Sequence, residues 1–171
     1  MLSRNANTQA VNVLISAILL TVITVAIVGI LWAVALPQIN DLYATQRFEE
    51  SKKVLQLIDA AIIEVSQVNG SVKELNVNLN DAKLDVNEFS NQVSLIVPIA
   101  ASATFLPQNQ TVNDGRISML RSTTQVKMWL DFNVSGIDIN NSTFTSNGLK
   151  VLQIKDVNQS NGKSLIEIKV K

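Results

Sequence analysis

The chain has no cysteine and no histidine. The first absence excludes disulfides and thiolate metal sites. The second removes the usual general base, the usual proton shuttle and the commonest metal ligand together. Charge is sparse, at 16 % of residues, and 14 basic residues balance 14 acidic ones, so no basic face points to nucleic acid. One long stretch has almost no charge at all. Arg4 is the only ionisable side chain before Asp41, which leaves 13 basic against 14 acidic residues beyond it. No glycine-rich phosphate loop, Ser/His/Asp set or paired-carboxylate signature occurs. The expectation is therefore a protein that is not an enzyme, with no cofactor and no metal site. Of the 171 residues, roughly 130 remain after the hydrophobic N-terminal part, enough for one ordinary domain with its own core.

That uncharged stretch contains Val13–Leu36, VLISAILLTVITVAIVGILWAVAL. As a helix it extends about 36 Å, enough to cross a hydrocarbon layer of about 30 Å with some tilt. A helix satisfies its own backbone polar groups, as lipid demands. Ser16, Thr21 and Thr24 can bond back to the helix and so do not oppose insertion. Trp32 and Tyr43 suit an interfacial level. The run is too long for the h-region of a secretory signal, about 7–15 residues, and it is apolar around its whole circumference.

Basic residues orient this helix weakly, because Asp41, Arg47, Glu49, Glu50, Lys52 and Lys53 mix signs beyond it. Six Asn-x-Ser/Thr sequons, at Asn69, Asn109, Asn133, Asn140, Asn141 and Asn158, all follow the helix. They favour an outside, N-glycosylated domain over chance occurrence on solvated turns. The reading is N-terminus in and C-terminus out, in the cell membrane or on an extracellular filament.

Past Pro37 the helical pattern continues. Ile39, Leu42 and Tyr43 begin an apolar stripe, and Val54, Leu55, Ile58, Ala61, Ile62 and Val65 carry it on at spacings of three and four. Glu49, Glu50, Lys52, Lys53, Asp59 and Glu64 fill the other side. This gives one long helix over 7–68, or two joined at Pro37: a transmembrane or filament-core part over 13–36 and an amphipathic part over 39–66. Asn69-Gly70 closes it, as glycine commonly does. From residue 69 to 171 the apolar period becomes two. Val72–Leu79, Leu84–Val86, Val93–Val97, Gln125–Val134, Gly136–Ile139, Leu149–Ile154 and Leu165–Val170 read as strands, the first three as a meander. Ile99–Leu106, between two prolines, reads as a strand or as a segment that docks on a neighbour, and Gln108–Gly115 as a loop. The fold class is α+β: a long N-terminal hydrophobic helix followed by an antiparallel β-domain, a meander or small sandwich.

A short polar leader with a basic residue (MLSRNA), a long apolar helix (NVLISAILLTVITVAIVGILW) continuing into an amphipathic half, and a sequon-bearing β-domain together resemble archaeal type IV pilin-like proteins. That family includes adhesion pilins, archaellins and membrane-anchored accessory or minor subunits. The resemblance covers the N-terminal third by sequence and the remainder by architecture. It implies a type IV pilin-like fold and a leader, residues 1–6, cut by a prepilin peptidase between Ala6 and Asn7. It also implies assembly of copies of the chain into an adhesion or motility filament, through an assembly machinery and from a membrane-held state.

The residues themselves support assembly separately, since Ala10, Ser16, Ala17, Ala26, Gly29 and Ala33 would let helices approach closely. They would equally face lipid in a monomeric membrane-anchored surface protein, and an anchored ligand-binding domain is a third alternative. Among finer candidates, Asp81, Asp85 and Glu88 with Asn80 and Asn87 form an oxygen-rich run. It lacks the spacing and terminal bidentate Glu of a Ca²⁺ loop and reads as a solvated hairpin. Trp129 and Phe132 in VKMWLDFNV read as core.

Overall fold

The computed structural model describes residues 3–99, 105–133, 136–140, 144–146, 148–160 and 163–171, with side chains left out of the description at 3–12, 140, 144–146 and 158–160. Contacts divide the chain into two compact units, Met1–Asn40 and Asp41–Lys171. One helix, α1, runs Ser3–Ser66 with Pro37 inside it. Proline deletes one backbone hydrogen bond, and here the helix continues through it. From Val13 to Val34 every side chain is exposed.

In the second unit α1 becomes amphipathic. Ala44, Phe48, Ser51, Leu55, Ile58, Ile62 and Val65 are all buried, at alternating spacings of four and three, with Ala61 beside them. That spacing keeps one stripe on the core for six turns. The stripe does not start where the sequence suggested. Leu42 and Tyr43 are 69 % and 58 % exposed, and Ala44 and Phe48 open the buried face instead. Phe48 packs against Phe105 with ring centroids 5.0 Å apart.

Ten strands follow: β1 Val72–Asn78, β2 Lys83–Asn87, β3 Gln92–Pro98, β4 Thr111–Asp114, β5 Ile117–Arg121, β6 Gln125–Asp131, β7 Ile137–Asn140, β8 Phe144–Ser146, β9 Leu149–Ser160 and β10 Lys163–Val170. They form two sheets, a four-stranded one in the order β1-β9-β10-β7 and a six-stranded one in the order β4-β5-β6-β3-β2-β8. The α+β layout of a long apolar N-terminal helix before a β-domain is as the sequence indicates. Three features differ. Residues 72–97 are not a meander, because β1 pairs with β9 and only β2 and β3 pair with each other. One pair, β7 with β10, is parallel. Within the presumed loop over Gln108–Gly115 lies β4, hairpinned to β5, and neither strand was expected. Gly115, at φ +60°, takes the first position of that two-residue turn, where a positive φ suits glycine. Of the segment Ile99–Leu106, Ile99, Phe105 and Leu106 are not in strands and 100–104 lie outside the described residues.

The inward positions of both sheets join the helix stripe in one core. Leu84, Leu95, Met128, Leu130, Phe132, Leu152, Ile154 and Ile166 are fully buried in it. Strand alternation supplies these positions: β6 buries Val126, Met128 and Leu130 and turns Lys127 and Trp129 outward. Phe132 is thus core as expected, whereas Trp129 is half-buried on the outer face of the six-stranded sheet. Burying a side chain of this size stabilises by about 1.5–3 kcal/mol each.

Polar contacts pin the helix to the sheets. Lys52 pairs with Asp114, Glu64 with Lys73, and Arg47 with Asp81 at 3.0 Å. Ser164 Oγ donates to the carbonyl of Ser66 at 3.0 Å. At the helix exit Gly70 adopts φ +74°, and its N–H donates to Asp156 Oδ2 at 2.9 Å. Asp156 is almost fully buried on β9, beside the register shift between β9 and β10.

Candidate functional site

Three surfaces are candidates: the bare half of α1, the sequon turns, and the groove where α1 passes the edge of β1. The first is set by composition alone. Thr21 Oγ1 donates to the carbonyl of Ala17 at 2.9 Å and Thr24 Oγ1 to that of Leu20 at 2.8 Å, so both hydroxyls are satisfied within the helix. What remains outside is aliphatic, with Trp32 66 % exposed near its end. Helical geometry sorts the small residues. Ala26, Gly29 and Ala33, spaced three and four apart, lie on one stripe. Ser16 and Ala17 point elsewhere around the circumference, and the side chain of Ala10 is outside the description. A methyl placed on Gly29 would meet nothing within 4 Å, so the glycine leaves open space on that stripe. Ala6 and Asn7, the expected cleavage pair, fall within the helix that starts at Ser3.

The sequon residues do not gather. Asn69 lies in the turn between α1 and β1, Asn109 before β4 and Asn133 after β6, and all three are exposed. Asn109 has φ +57°. The Asn133 side-chain nitrogen donates to Asp131 Oδ1 at 2.8 Å and to the Ser90 carbonyl at 3.1 Å. Asn140 ends β7 and Asn158 lies in β9, with side chains outside the description, as is all of Asn141.

The groove was not foreseen. Two adjoining hollows of about 450 and 520 Å³ share Glu50, Asn78 and Asn80. The first adds Tyr43, Gln46, Arg47 and Asp81, the second Lys53, Val54, Leu57 and Asn76. Its polar groups largely satisfy one another. Asn80 Nδ2 donates to Glu50 Oε2 at 3.0 Å, Gln46 Nε2 to Glu50 Oε1 at 2.9 Å, and Arg47 pairs with Asp81. They do not converge on a shared empty point, as a small-ligand site would require.

The Asp81, Asp85 and Glu88 run is not one hairpin: Asp81 lies in the turn that carries the chain from β1 to β2 in the other sheet, Asp85 lies on β2, and Glu88 lies in the tight turn of the β2–β3 hairpin. Asn80 takes φ +48° in the first of these turns, and in the second Ser90 N–H donates to Asn87 Oδ1 at 3.1 Å. Among the described residues no cluster of three or more acidic side chains is arranged to hold a metal.

Two carboxylates outside these surfaces are perturbed. Burial raises the pKa of Asp59, only partly offset by its ion pair with Arg116 at 3.5 Å, in which Asp59 Oδ1 accepts no hydrogen bond. Glu74, on β1, is held below the usual carboxylate range by its hydrogen bond from Lys171.

What these features define is an α+β protein carrying one N-terminal helix long and apolar enough to cross a membrane. No protein family, curated protein or solved structure matches the chain.

Proposed function

We propose that the chain is a structural subunit of an extracellular filament of the archaeal type IV pilin kind, held in the cell membrane by α1 before it assembles. The observation that carries this reading is the unbroken exposure of an all-round apolar helix surface from Val13 to Val34 in a chain whose remaining residues close their own core. Such a surface needs lipid or like helices around it. Lipid meets that need for the newly made subunit, and neighbouring copies meet it in a filament core, where the stripe of Ala26, Gly29 and Ala33 admits close approach. The exposed sequons at Asn69, Asn109 and Asn133 fit a domain that faces outside, carrying N-glycans away from the buried surfaces. Adhesion or motility is the role that follows from the resemblance to pilins and archaellins.

The mature N-terminus tests the proposal. Surface filaments sheared from cells expressing the protein should contain it, with a terminus at or near Asn7. Recovery only from the membrane fraction, with Met1 intact, would overturn it in favour of a monomeric membrane-anchored surface protein.

A further inference from the structure

The four-stranded sheet has two edges, and they are treated differently. At the β7 edge the side chain of Asn91, itself buried, takes the place of a further strand. Its Nδ2 donates to the Ile137 carbonyl at 2.8 Å, and its Oδ1 accepts from Ile139 N–H at 2.7 Å. The β1 edge has no such cap among the described residues. Asp156 N–H donates to the Ser71 carbonyl and Leu79 N–H to the Gly148 carbonyl, both at 3.0 Å. With the β1–β9 register, this fixes which residues bond inward. Antiparallel ladders alternate, so the odd-numbered residues of β1 face β9. Val72, Glu74, Asn76 and Asn78 therefore aim their N–H and C=O groups at the free edge.

Edges of this length are normally blunted by proline, a bulge or an inward-pointing charge. β1 has no proline and pairs with β9 without a register shift. Its one inward charge, Lys73, is neutralised by Glu64. Beside the edge runs the groove whose helix wall includes Val54 and the exposed Leu57.

We propose that β1 is a strand-pairing site for β1 of a second copy of this chain, antiparallel and about a two-fold axis. The side chains single out one register. When Leu75 meets Leu75 of the second copy, Val72 lies opposite Asn78 and Glu74 opposite Asn76. All four edge residues then pair with an edge residue, and no like charges face each other. Sliding two residues one way sets Glu74 against Glu74. Sliding the other way leaves Val72 without an edge partner. The chosen register joins two four-stranded sheets into one of eight and brings Leu57 of each α1 toward the dyad. Such a contact is isologous and closes on itself, so it pairs subunits and does not propagate a filament. It stands independently of the filament reading.

The absence of native cysteine makes the register directly testable on the full chain in detergent. Val72 and Asn78 are both exposed. In a hydrogen-bonded pair their Cα atoms would lie about 5.5 Å apart, within disulfide range. Val72→Cys protein mixed with Asn78→Cys protein should form a disulfide heterodimer under mild oxidation, while each alone yields no disulfide-linked dimer. Adding Asn76→Pro to both removes an N–H that β9 does not use, so the melting temperature should hold while cross-linked product falls about tenfold or more. Three results would each overturn the proposal: no heterodimer, equal cross-linking of each variant with itself, or heterodimer that Asn76→Pro leaves undiminished with the fold intact.

Discussion

The two ends of α1 use apolar residues to opposite effect. From Val13 to Val34 they encircle the helix and none is buried. From Ala44 to Val65 most of them keep to one stripe, and that stripe is almost fully buried, with Leu57 as the large exception. The same side chains, chiefly Ile, Leu, Val and Ala, supply both. What separates a core-facing helix from one that needs an outside apolar partner is therefore angular distribution, not hydrophobicity. Domain stability should depend on the second region and hardly at all on the first. The largest expected effect tests this. Ile58→Ala empties a fully buried site and should destabilise the β-domain by about 2–5 kcal/mol in chemical denaturation. Ile23→Ala, at a half-exposed site in the bare region, should leave the denaturation midpoint unchanged. Equal losses from the two would erase the distinction.

A charge in the bare half should do the reverse. Val25→Asp sits near the middle of the apolar run, where an acidic residue opposes membrane insertion by about 2.5–3.5 kcal/mol. Cell fractionation should show the variant lost from the membrane, while the β-domain of the purified full-length variant melts as before. Retention in the membrane would show that this stretch is not what anchors the chain.

Much of this contrast is legible in the sequence, because both regions obey local periodicities: 3.6 residues for the stripe and two for β2, β3 and β6. Three strands that the sequence does not reveal, β4, β5 and the three-residue β8, lack that regularity. β4 (TVND) is a short polar edge. β5 (ISMLR) alternates in burial but not in polarity: apolar Leu120 takes an outward position and Arg121 an inward one, where its Nη1 donates to the Leu106 carbonyl. Pairings between distant segments were also illegible, β1 with β9 and β7 with β10 above all, since nothing local distinguishes one apolar alternation as partner for another. For the same reason neither the β1 edge nor its groove could be read in advance. They exist only once β9 occupies one side of β1 and α1 passes the other.

Asn91 shows how much one such long-range contact carries. Asn91→Ala would leave Ile137 O and Ile139 N–H, at an otherwise covered edge, without their carboxamide partner, at a cost of about 1–3 kcal/mol. The loss should appear in the melting temperature and as faster amide exchange at Ile139. β1, whose outer edge has no such cap among the described residues, should keep its exchange rates. A lower melting temperature without faster exchange at Ile139 would mean that the cap matters for packing and not for the edge.

The smallest expected effect separates two carboxylates by where they lie. Burial raises the pKa of Asp59, so the folded protein holds that proton more tightly than the unfolded chain does. As pH rises from the ordinary carboxylate value through the folded pKa, the unfolded state gives up its proton first, and this residue's contribution to stability falls. Glu74 is shifted the other way by Lys171. Its contribution is present above the ordinary carboxylate value and is lost as pH falls through the lower folded pKa. Asp59→Asn removes the first dependence and relieves the cost of burying a charge. It should leave stability at neutral pH unchanged or slightly higher and flatten the decline above the ordinary carboxylate range. Glu74→Gln should flatten only the acid limb, and by little, because the pair is exposed to solvent. Denaturation midpoints measured across pH 3–7 for both variants check the assignment. A loss of stability in Asp59→Asn at neutral pH would show that the pairing with Arg116 outweighs the burial of Asp59.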